Sequence, residues 1–446
     1  MNLRVRGSAR FALVMALACA VAGGAVGGCG PRPRQIDLAR VDGEPARVAG
    51  RLDLPPGFVA SVCGFSGRGV WIQARRPGAA AARYFHVTPA ILGAAPSSCE
   101  IVEVEAPPGA RPETAWPGGD DFRAVVGIVD GRFVVYCATG EDEGNRAFVS
   151  CIEGDGHVAW EVEIPAGFMP GLGPDWRHVI AYGNSRDVPM LTVTPEGRCV
   201  EIPPLRISGP VKWYRSGSFV WGRMVAFDAV WDARPNGMVV TTRTCWPSEG
   251  KWETVEYAAG GNEMGDALPF RGGVVLVTVE GDAVAPVHRP FAGPAGPERS
   301  EQPEQSKAPS FRPITLDQRS QSLTAWVAGG HVLWQVYPTA TVSVPEHVIL
   351  IRVDGPDGNP ILSGEIAARG LARLSPLGNY VCWEDHLRDF KFLRVSDGKL
   401  WTYSPDSKDP WAVETARYWW SPNESLIVLT ETGQGDGGSV VVLSTD

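Results

Sequence analysis

One short pattern occurs twice near the C-terminus, with the corresponding serines Ser375 and Ser421 lying 46 residues apart. Residues 374–383 have the sequence Leu-Ser-Pro-Leu-Gly-Asn-Tyr-Val-Cys-Trp, and residues 420–429 have Trp-Ser-Pro-Asn-Glu-Ser-Leu-Ile-Val-Leu. Each copy leads into a second apolar run that ends in polar residues. Self-similarity at a period of roughly 40 to 50 residues, with short strands, indicates a β-propeller.

Composition supports many short strands joined by tight turns. The 446 residues include 53 glycines and 38 prolines, which are the residues that turns require. The 16 tryptophans suit the wedge-shaped space between neighbouring sheets. Because repeated units share one continuous core, we expect one large domain rather than the three that length alone suggests.

Eight pairs of apolar segments separated by polar turns predict eight β-hairpins. The fold class predicted is therefore all-β, a single β-propeller over residues 56–446 with eight blades. Seven blades is the alternative because the first and fourth repeats are irregular, and a pair of stacked β-sandwiches is the runner-up fold. The predicted pairs are 70–72 with 84–87, 133–137 with 148–152, 179–182 with 190–193, 238–241 with 252–257, 274–279 with 284–287, 332–336 with 348–353, 380–383 with 390–395, and 426–429 with 440–443.

Two further segments follow from this interpretation. Residues about 40 to 60 are expected to pair beside residues 371–446, because the last blade of a closed ring needs a strand from the other end of the chain. Ala292 to Ser310 has no Val, Ile, Leu or aromatic residue, so we predict a disordered loop inserted at 292–310.

The N-terminus has the pattern of an export signal. Arg4, Arg6 and Arg10 precede Phe11 to Val26, a stretch of 16 apolar or small residues that is too short for a comfortable membrane span. Val26-Gly27-Gly28-Cys29 then resembles the lipobox of bacterial lipoproteins. The resemblance implies a signal peptide at 1–28, cleavage before Cys29 and lipidation of Cys29, with residues 29–55 as a tether and leading segment.

Alternatives to lipidation remain open at this point. Cleavage at Ala16-Leu17-Ala18-Cys19 would leave the apolar residues 20–26 on the mature end. The other two alternatives are plain secretion, in which Cys29 is incidental, and retention of the apolar segment as a membrane anchor. Several acyl chains on one residue anchor a protein stably. Residue 30 is Gly rather than Asp, which would favour the outer membrane in a Gram-negative cell.

Charge limits the partners. The formal net charge is -9, which argues against nucleic acid, since a nucleic-acid partner would require a basic patch. It also argues against adsorption of the folded surface to anionic lipid. The membrane partner expected is therefore reached through the lipid anchor.

Two families of propeller share motifs with the chain. Residues 420–423 (Trp-Ser-Pro-Asn) and 375–378 (Ser-Pro-Leu-Gly) resemble the Trp-Ser-Pro-Asp-Gly turn of TolB-type and WD40-like propellers, although the Asp is replaced. Residues 151–160 and 393–401 resemble the quinoprotein (PQQ)-like repeat, in which an Asp-Gly turn precedes a Trp-bearing strand. Quinoprotein-like propellers commonly have eight blades, and one type is the lipoprotein subunit of the outer-membrane β-barrel assembly machine. These turns imply fold far more than function.

The motifs that suggest chemistry are each better explained by turns. The GxGxxG at 433–438 leads into a strand rather than a helix, as a dinucleotide site would require. Asp354 to Asn359 has oxygen ligands at calcium-like spacing and Glu365 at the twelfth place, but Gly and Pro replace intermediate ligands. Glu384-Asp385-His386 could serve acid–base chemistry, yet it follows a strand as a polar turn would. We predict no catalytic, cofactor-binding or metal-binding residues and no cofactor. The seven histidines have no zinc-type spacing, being His86, His157, His178, His288, His331, His347 and His386.

Seven cysteines follow Cys29 in a compartment that permits disulfides. Cys137 and Cys151 lie on the two strands of one predicted hairpin and would face each other if its turn centred on Gly144, so this pair is the possible disulfide. The odd count leaves at least one free thiol, which we assign to Cys382. The alternative is that all seven are small buried apolar residues.

The function predicted is a lipid-anchored envelope protein, exported to the bacterial membrane, whose propeller loops bind or scaffold a protein or glycan without catalysis. The exposed loop aromatics expected at Trp419 and Trp420 favour this hypothesis. The alternative is a propeller enzyme of the cell envelope, either glycan-cleaving or a quinoprotein-type oxidoreductase, with acids and histidines gathered on one face.

Overall fold

The computed structural model shows an all-β chain folded as a single propeller. In the part of the chain that it describes, no helix is long and apolar enough to cross a membrane. The signal peptide, Cys29 and residues 292–308 lie outside the described residues. Those described are 34–36, 43–67, 69–77, 79, 81–89, 99–110, 121–139, 146–165, 168–173, 175–182, 190–202, 211–220, 223–234, 237–246, 249–258, 267–270, 273–280, 283–290, 309–315, 322–337, 347–405, 417–432 and 438–445.

The described strands form eight sheets that follow one another along the chain, numbered here 1 to 8. Within each sheet, consecutive strands pair antiparallel. The strands of the first four sheets, from first to fourth, are β4(Val59–Ser66), β5(Gly69–Arg75), β6(Ala82–Thr88) and β7(Glu100–Val104); β8(Asp121–Val129), β9(Arg132–Thr139), β10(Arg146–Ile152) and β11(Val158–Ile164); β12(Met169–Leu172), β13(Val179–Tyr182), β14(Met190–Val193) and β15(Cys199–Ile202); β16(Val211–Val220), β17(Arg223–Arg234), β18(Gly237–Trp246) and β19(Lys251–Ala258).

Sheets 5 to 8 continue the pattern, and sheets 6 to 8 each include a strand from the N-terminal segment. Their strands are β20(Ala267–Phe270), β21(Gly273–Glu280), β22(Ala283–Pro290) and β23(Ile314–Thr315); β24(Ser322–Ala328), β25(His331–Tyr337), β26(His347–Asp354), β27(Pro360–Ala368) and β1(Arg34–Ile36); β28(Arg373–Leu374), β29(Tyr380–Glu384), β30(Phe390–Arg394), β31(Leu400–Tyr403) and β2(Glu44–Pro45); β32(Arg417–Trp420), β33(Leu426–Thr432), β34(Gly438–Ser444) and β3(Arg47–Asp53).

The first strand of each sheet is the innermost. β4 lies beside β8, β8 beside β12, β20 beside β24, and β24 beside β28. Large apolar side chains fill the space between adjacent sheets, as Leu333, Ile351, Val381 and Leu393 do between sheets 6 and 7. Burial of such side chains is worth roughly 1.5–3 kcal/mol each and holds neighbouring sheets together.

The N-terminal segment lies along the outer edges of three successive sheets. β1 pairs parallel with β27 and β2 pairs parallel with β31. β3 then pairs antiparallel with β34 and completes sheet 8, with Arg47 opposite Ser444 and Asp53 opposite Ser439. The predicted pairing of residues about 40 to 60 with the C-terminal unit is confirmed. The predicted start of the propeller at residue 56 is too late, because β3 is one of its strands.

All eight predicted hairpins are present, one in each sheet. Apolar alternation and turn residues were sufficient to locate them because both signals are local.

The register of the second hairpin corrects the predicted disulfide. Cys137 lies opposite Phe148, and Cys151 lies opposite Val134. The two cysteines are therefore three residues out of register, and an odd offset places their side chains on opposite faces of the sheet. The thiol of Cys382 is buried between sheets 7 and 8, and burial raises its pKa.

Candidate functional site

One side of the propeller carries the connections between first and second strands, here called inner turns, and those between third and fourth strands. We call this side the inner-turn face. Antiparallel pairing places both kinds of connection at the same end of each sheet. Five histidines lie at this end, namely His86, His157, His178, His288 and His331.

The repeated Ser-Pro pattern forms the inner turns of sheets 7 and 8. The hydroxyl of Ser375 accepts a hydrogen bond from the N–H of Tyr380 at 2.9 Å, and that of Ser421 accepts one from Leu426 at 3.0 Å. Both serines are buried, so each hydroxyl satisfies a backbone donor that water cannot reach. The repeated pattern in the sequence is therefore one type of turn, closed by a serine hydroxyl, that occurs in two sheets.

The inner turns of sheets 6, 7 and 8 are packed against one another. The carboxylate of Glu424, which is 3% exposed, accepts a hydrogen bond from the N–H of Leu377 in the neighbouring turn. A Cβ added at Gly329 would lie 1.6 Å from the carbonyl oxygen of Leu377. Glu424 itself has a φ of 60°, and its carbonyl accepts a hydrogen bond from the Thr445 hydroxyl at 2.8 Å.

The inner turn of sheet 3 is built around Asp175. One carboxylate oxygen accepts the N–H groups of Arg177 and His178, each at 3.1 Å. The other oxygen contacts Nδ1 of His178, and both side chains are largely buried, 11% exposed for Asp175 and 13% for His178. This aspartate therefore fixes both the backbone of the turn and the imidazole.

Trp176, at the tip of that turn, reaches from sheet 3 to sheets 1 and 8. Its backbone has a φ of 56°. The indole Nε1 donates a hydrogen bond to the carbonyl of Trp420 in sheet 8 at 3.1 Å, and the ring packs edge-on against Phe65 of sheet 1, with ring centroids 5.1 Å apart. It joins a cluster that includes Trp419. One side chain thus links sheets 3, 1 and 8 at the inner-turn face.

Charged groups surround this tryptophan. Arg177 donates to Asp130 of the sheet 2 inner turn at 3.1 Å, and both side chains are about half exposed. The pKa of Glu196 on sheet 3 is lowered by a hydrogen bond from Thr194 and further by the charges of Arg177 and His178. Three carboxylates, a guanidinium and an imidazole are therefore gathered at one part of the inner-turn face.

Two other histidines of the face, His86 in sheet 1 and His331 in sheet 6, are partly buried. His86 Nε2 lies 3.1 Å from the Ser66 hydroxyl, and burial lowers the pKa of His86. His331 is more deeply buried, and burial lowers its pKa too. Among the described residues, no group of three or more His, Cys, Asp or Glu side chains could hold a metal ion.

The candidate motifs of the sequence are described in part. The buried carboxylate of Asp354 accepts bonds from Trp334 Nε1 at 2.8 Å and from Arg352 at 2.6 Å, so it belongs to an ion pair within sheet 6 rather than to a calcium loop. Asp385 accepts the N–H groups of Leu387 and Asp389, each at 2.9 Å. His386 beside it is exposed. Of the GxGxxG, only Gly438 is among the described residues.

Sequence reasoning did not find the Trp176 turn. Asp-Trp-Arg-His has no recognised spacing, and its principal contact lies 244 residues away. The available signal was an Asp followed three residues later by His, which is common in ordinary turns.

No family model matches the chain, and no curated protein matches it. Several solved structures are similar to the chain over most of its length. One of two prolyl endopeptidases shares 15% identity over 85% of this chain and 55% of its own, with a TM-score of 0.43. The WD40 domain of SCAP from fission yeast shares 10% identity over 88% and 96%, with a TM-score of 0.41. An oligogalacturonate lyase in complex with manganese shares 10% identity over 88% and 98%, with a TM-score of 0.34. The chain spans about half the length of the prolyl endopeptidase, and at these identities no activity is transferred from any of the three.

Proposed function

We propose that the chain is an envelope lipoprotein, anchored through Cys29, whose propeller binds a protein or glycan partner without catalysis. The lipobox-like Val26-Gly27-Gly28-Cys29 supports the anchor, and the acidic net charge of -9 disfavours nucleic acid as the partner.

The observation that carries the binding hypothesis is the position of Trp176. Its contacts with Phe65 and the Trp420 carbonyl join sheets 3, 1 and 8 at this face. A partner arriving at this face would meet the partly exposed indole and, beside it, the half-exposed Arg177–Asp130 pair. Tryptophan and arginine are the residues that most often dominate the energy of such interfaces.

We further propose that each of the eight sheets is one blade of the ring. The pairing of β3 with β34 supplies the closing contact that such a ring requires. In a seven-bladed ring one sheet would lie outside it, and sheet 4 is where the two arrangements differ, since β16 lies beside both β20 and β24. The resemblance to TolB-type and quinoprotein-like repeats belongs to this same proposal.

An enzyme of the envelope is the second candidate, and the Asp175–His178 pair favours it. A carboxylate that orients an imidazole is the arrangement used in general acid–base catalysis. Replacing His178 with Gln would abolish turnover of a substrate in that case, while partner binding would persist.

Co-purification from detergent-solubilised envelope tests the binding proposal. The wild type, Arg177→Glu and the matched control Arg83→Glu would be compared. Arg83 is also exposed and paired with a carboxylate, at 2.6 Å from Glu103, but it lies on sheet 1 strands away from the inner-turn face. We expect one partner to be enriched with the wild type and with Arg83→Glu and to be lost with Arg177→Glu.

Equal recovery with all three proteins, or no enrichment over an unrelated lipid-anchored protein, would remove the support for this face. Intact mass of the mature protein tests the anchor separately. The mass expected is that of a chain starting at Cys29 with its acyl chains, and Cys29→Ser should lack them.

A further inference from the structure

The innermost strands of sheets 6, 7 and 8 present three side chains to one another. Trp326 lies on β24, Arg373 on β28 and Tyr418 on β32. The guanidinium carbon of Arg373 is 5.5 Å from the ring centroid of Trp326 and 5.8 Å from that of Tyr418. Both distances are within the range of a cation–π contact. The guanidinium is thus held between two aromatic rings.

Exposure shows where this group points. Ala325, Val327 and Leu374 on the same strands are buried between sheets. Trp326, by contrast, is 36% exposed, and Arg373 is exposed as well. Trp326 and Arg373 are therefore open to solvent, whereas Tyr418 packs against the apolar cluster between sheets 7 and 8.

Two other stacked arginines show what is different about Arg373. Arg394 stacks on Trp401 at 5.3 Å, and its Nε donates to Asp397 at 3.0 Å. Arg83 stacks on Phe85 at 5.2 Å and donates to Glu103 at 2.7 Å. Among the described residues, Arg373 has no such carboxylate.

Two aromatic rings within cation–π distance restrict where the guanidinium can lie, and its N–H groups form a planar fork. That fork matches the two oxygens of a carboxylate or a phosphate, and it is already oriented before the anion arrives. We propose that Arg373, held by Trp326 and Tyr418, forms an oxyanion-binding site on the innermost strands of sheets 6 to 8, for a small ligand that carries a carboxylate or a phosphate. This site is distinct from the inner-turn face proposed to bind the partner.

Titration of the purified full chain with defined anions tests the site. The probes are benzoate, inorganic phosphate and, as the uncharged counterpart of benzoate, benzyl alcohol. Binding would be followed by calorimetry and by the fluorescence of the tryptophans. We expect saturable binding of at least one anion, and affinity at least about ten-fold lower in Arg373→Gln, because charge-assisted hydrogen bonds are lost.

The matched control is Arg394→Gln, which removes a stacked arginine whose donors already serve Asp397. Its anion affinity should equal that of the wild type. Arg373→Lys keeps the charge but loses the planar fork, so intermediate affinity is expected. Thermal melting of each variant establishes that it is folded, as the exposure of Arg373 predicts.

Comparison of the two anions identifies the source, since preference for benzoate indicates a carboxylate ligand and preference for phosphate a phosphorylated one. Equal titration of the wild type and Arg373→Gln would overturn the proposal. A response to benzyl alcohol as strong as that to benzoate would overturn it too. Neither result bears on the partner-binding surface, which Arg177→Glu tests independently.

Discussion

Two kinds of inner turn in this propeller are made in opposite ways. The turns of sheets 7 and 8 are closed by Ser375 and Ser421, each of which bonds a backbone N–H only five residues ahead. The turn of sheet 3 is closed by Asp175 and then extended by Trp176, which bonds a carbonyl 244 residues ahead. Both are stable arrangements at the same end of their sheets, yet only the first kind appears as a repeat in the sequence.

The difference shows how a repeated fold gains an individual site. A turn whose backbone N–H groups are satisfied by its own side chains can recur in several sheets, because it needs no contact with distant residues. A turn that crosses the ring depends on the shape of what it meets, here Phe65 and the Trp420 backbone. The two kinds of turn should therefore respond differently to substitution.

The largest effect is expected from deletion of Ser439 to Asp446, which removes most of β34. That strand lies between β33 and β3, so its loss exposes both and opens the ring at sheet 8. We expect loss of the cooperative transition in a thermal melt followed by circular dichroism. Removal of Asp446 alone is the control. A truncated protein that melts like the wild type would contradict closure by β3.

One added carbon atom at Gly329 should disrupt the packing between the inner turns of sheets 6 and 7. In Gly329→Ala, the new Cβ would lie 1.6 Å from the Leu377 carbonyl oxygen, at a φ of 56°. Displacement of the neighbouring turn together with left-handed strain should cost about 3 kcal/mol of unfolding free energy. Gly131→Ala is the control, because its φ is 79° but no atom lies within 4 Å of the added carbon, and about 1 kcal/mol is expected. Equal losses in urea unfolding would show that the turns are not packed together.

A smaller effect is expected where the crossing turn is weakened. Trp176→Phe keeps an aromatic ring but removes the hydrogen bond to Trp420, at a cost of about 1 kcal/mol. Trp160→Phe loses a comparable bond, to the Pro195 carbonyl at 2.8 Å, between neighbouring sheets. Only the Trp176 variant should speed hydrogen exchange in both β4 and β32. The same pattern in both variants would mean that Trp176 does not link sheets 1 and 8.

The smallest effect concerns pH and His331, which begins β25 beside the packed turns. Burial lowers the pKa of His331 from its ordinary value of 6.5, so the folded state favours the neutral ring. As pH falls below that value, the His331 imidazole becomes protonated in the unfolded chain, whereas in the folded state it stays neutral to lower pH. Stability is therefore fully present above about pH 6.5 and declines below it. In His331→Asn, the decline between about pH 7 and 5 should be shallower than in the wild type.

Much of the fold could be predicted because its signals are local. All eight hairpins, and the pairing of the N-terminal segment with the last sheet, followed from alternation, turn residues and the need to close a ring. The register was less accessible, as the corrected Cys137–Cys151 pairing shows. A turn centre misplaced by one and a half positions displaces opposite residues by three, and sequence patterns do not fix turn centres so finely.

The candidate sites were largely hidden from the sequence. Trp419 and Trp420 were expected to be exposed, but Trp420 is 6% exposed and packs between sheets 7 and 8. Trp176, which had no distinguishing pattern, is the residue that links sheets 3, 1 and 8. Arg373 also had none, since stacking between Trp326 and Tyr418 joins residues from three sheets.

The sequence alone determined the class of fold, the number and place of the hairpins, and the turn chemistry of Ser375 and Ser421. Each of these depends on residues within a few positions of one another, where backbone geometry and side-chain hydrogen bonds act directly. The tertiary structure alone decided which side chains meet at the centre of the ring. Closing the ring brings together residues that the chain holds 45 to more than 240 positions apart, and burial and charge there depend on all of them at once.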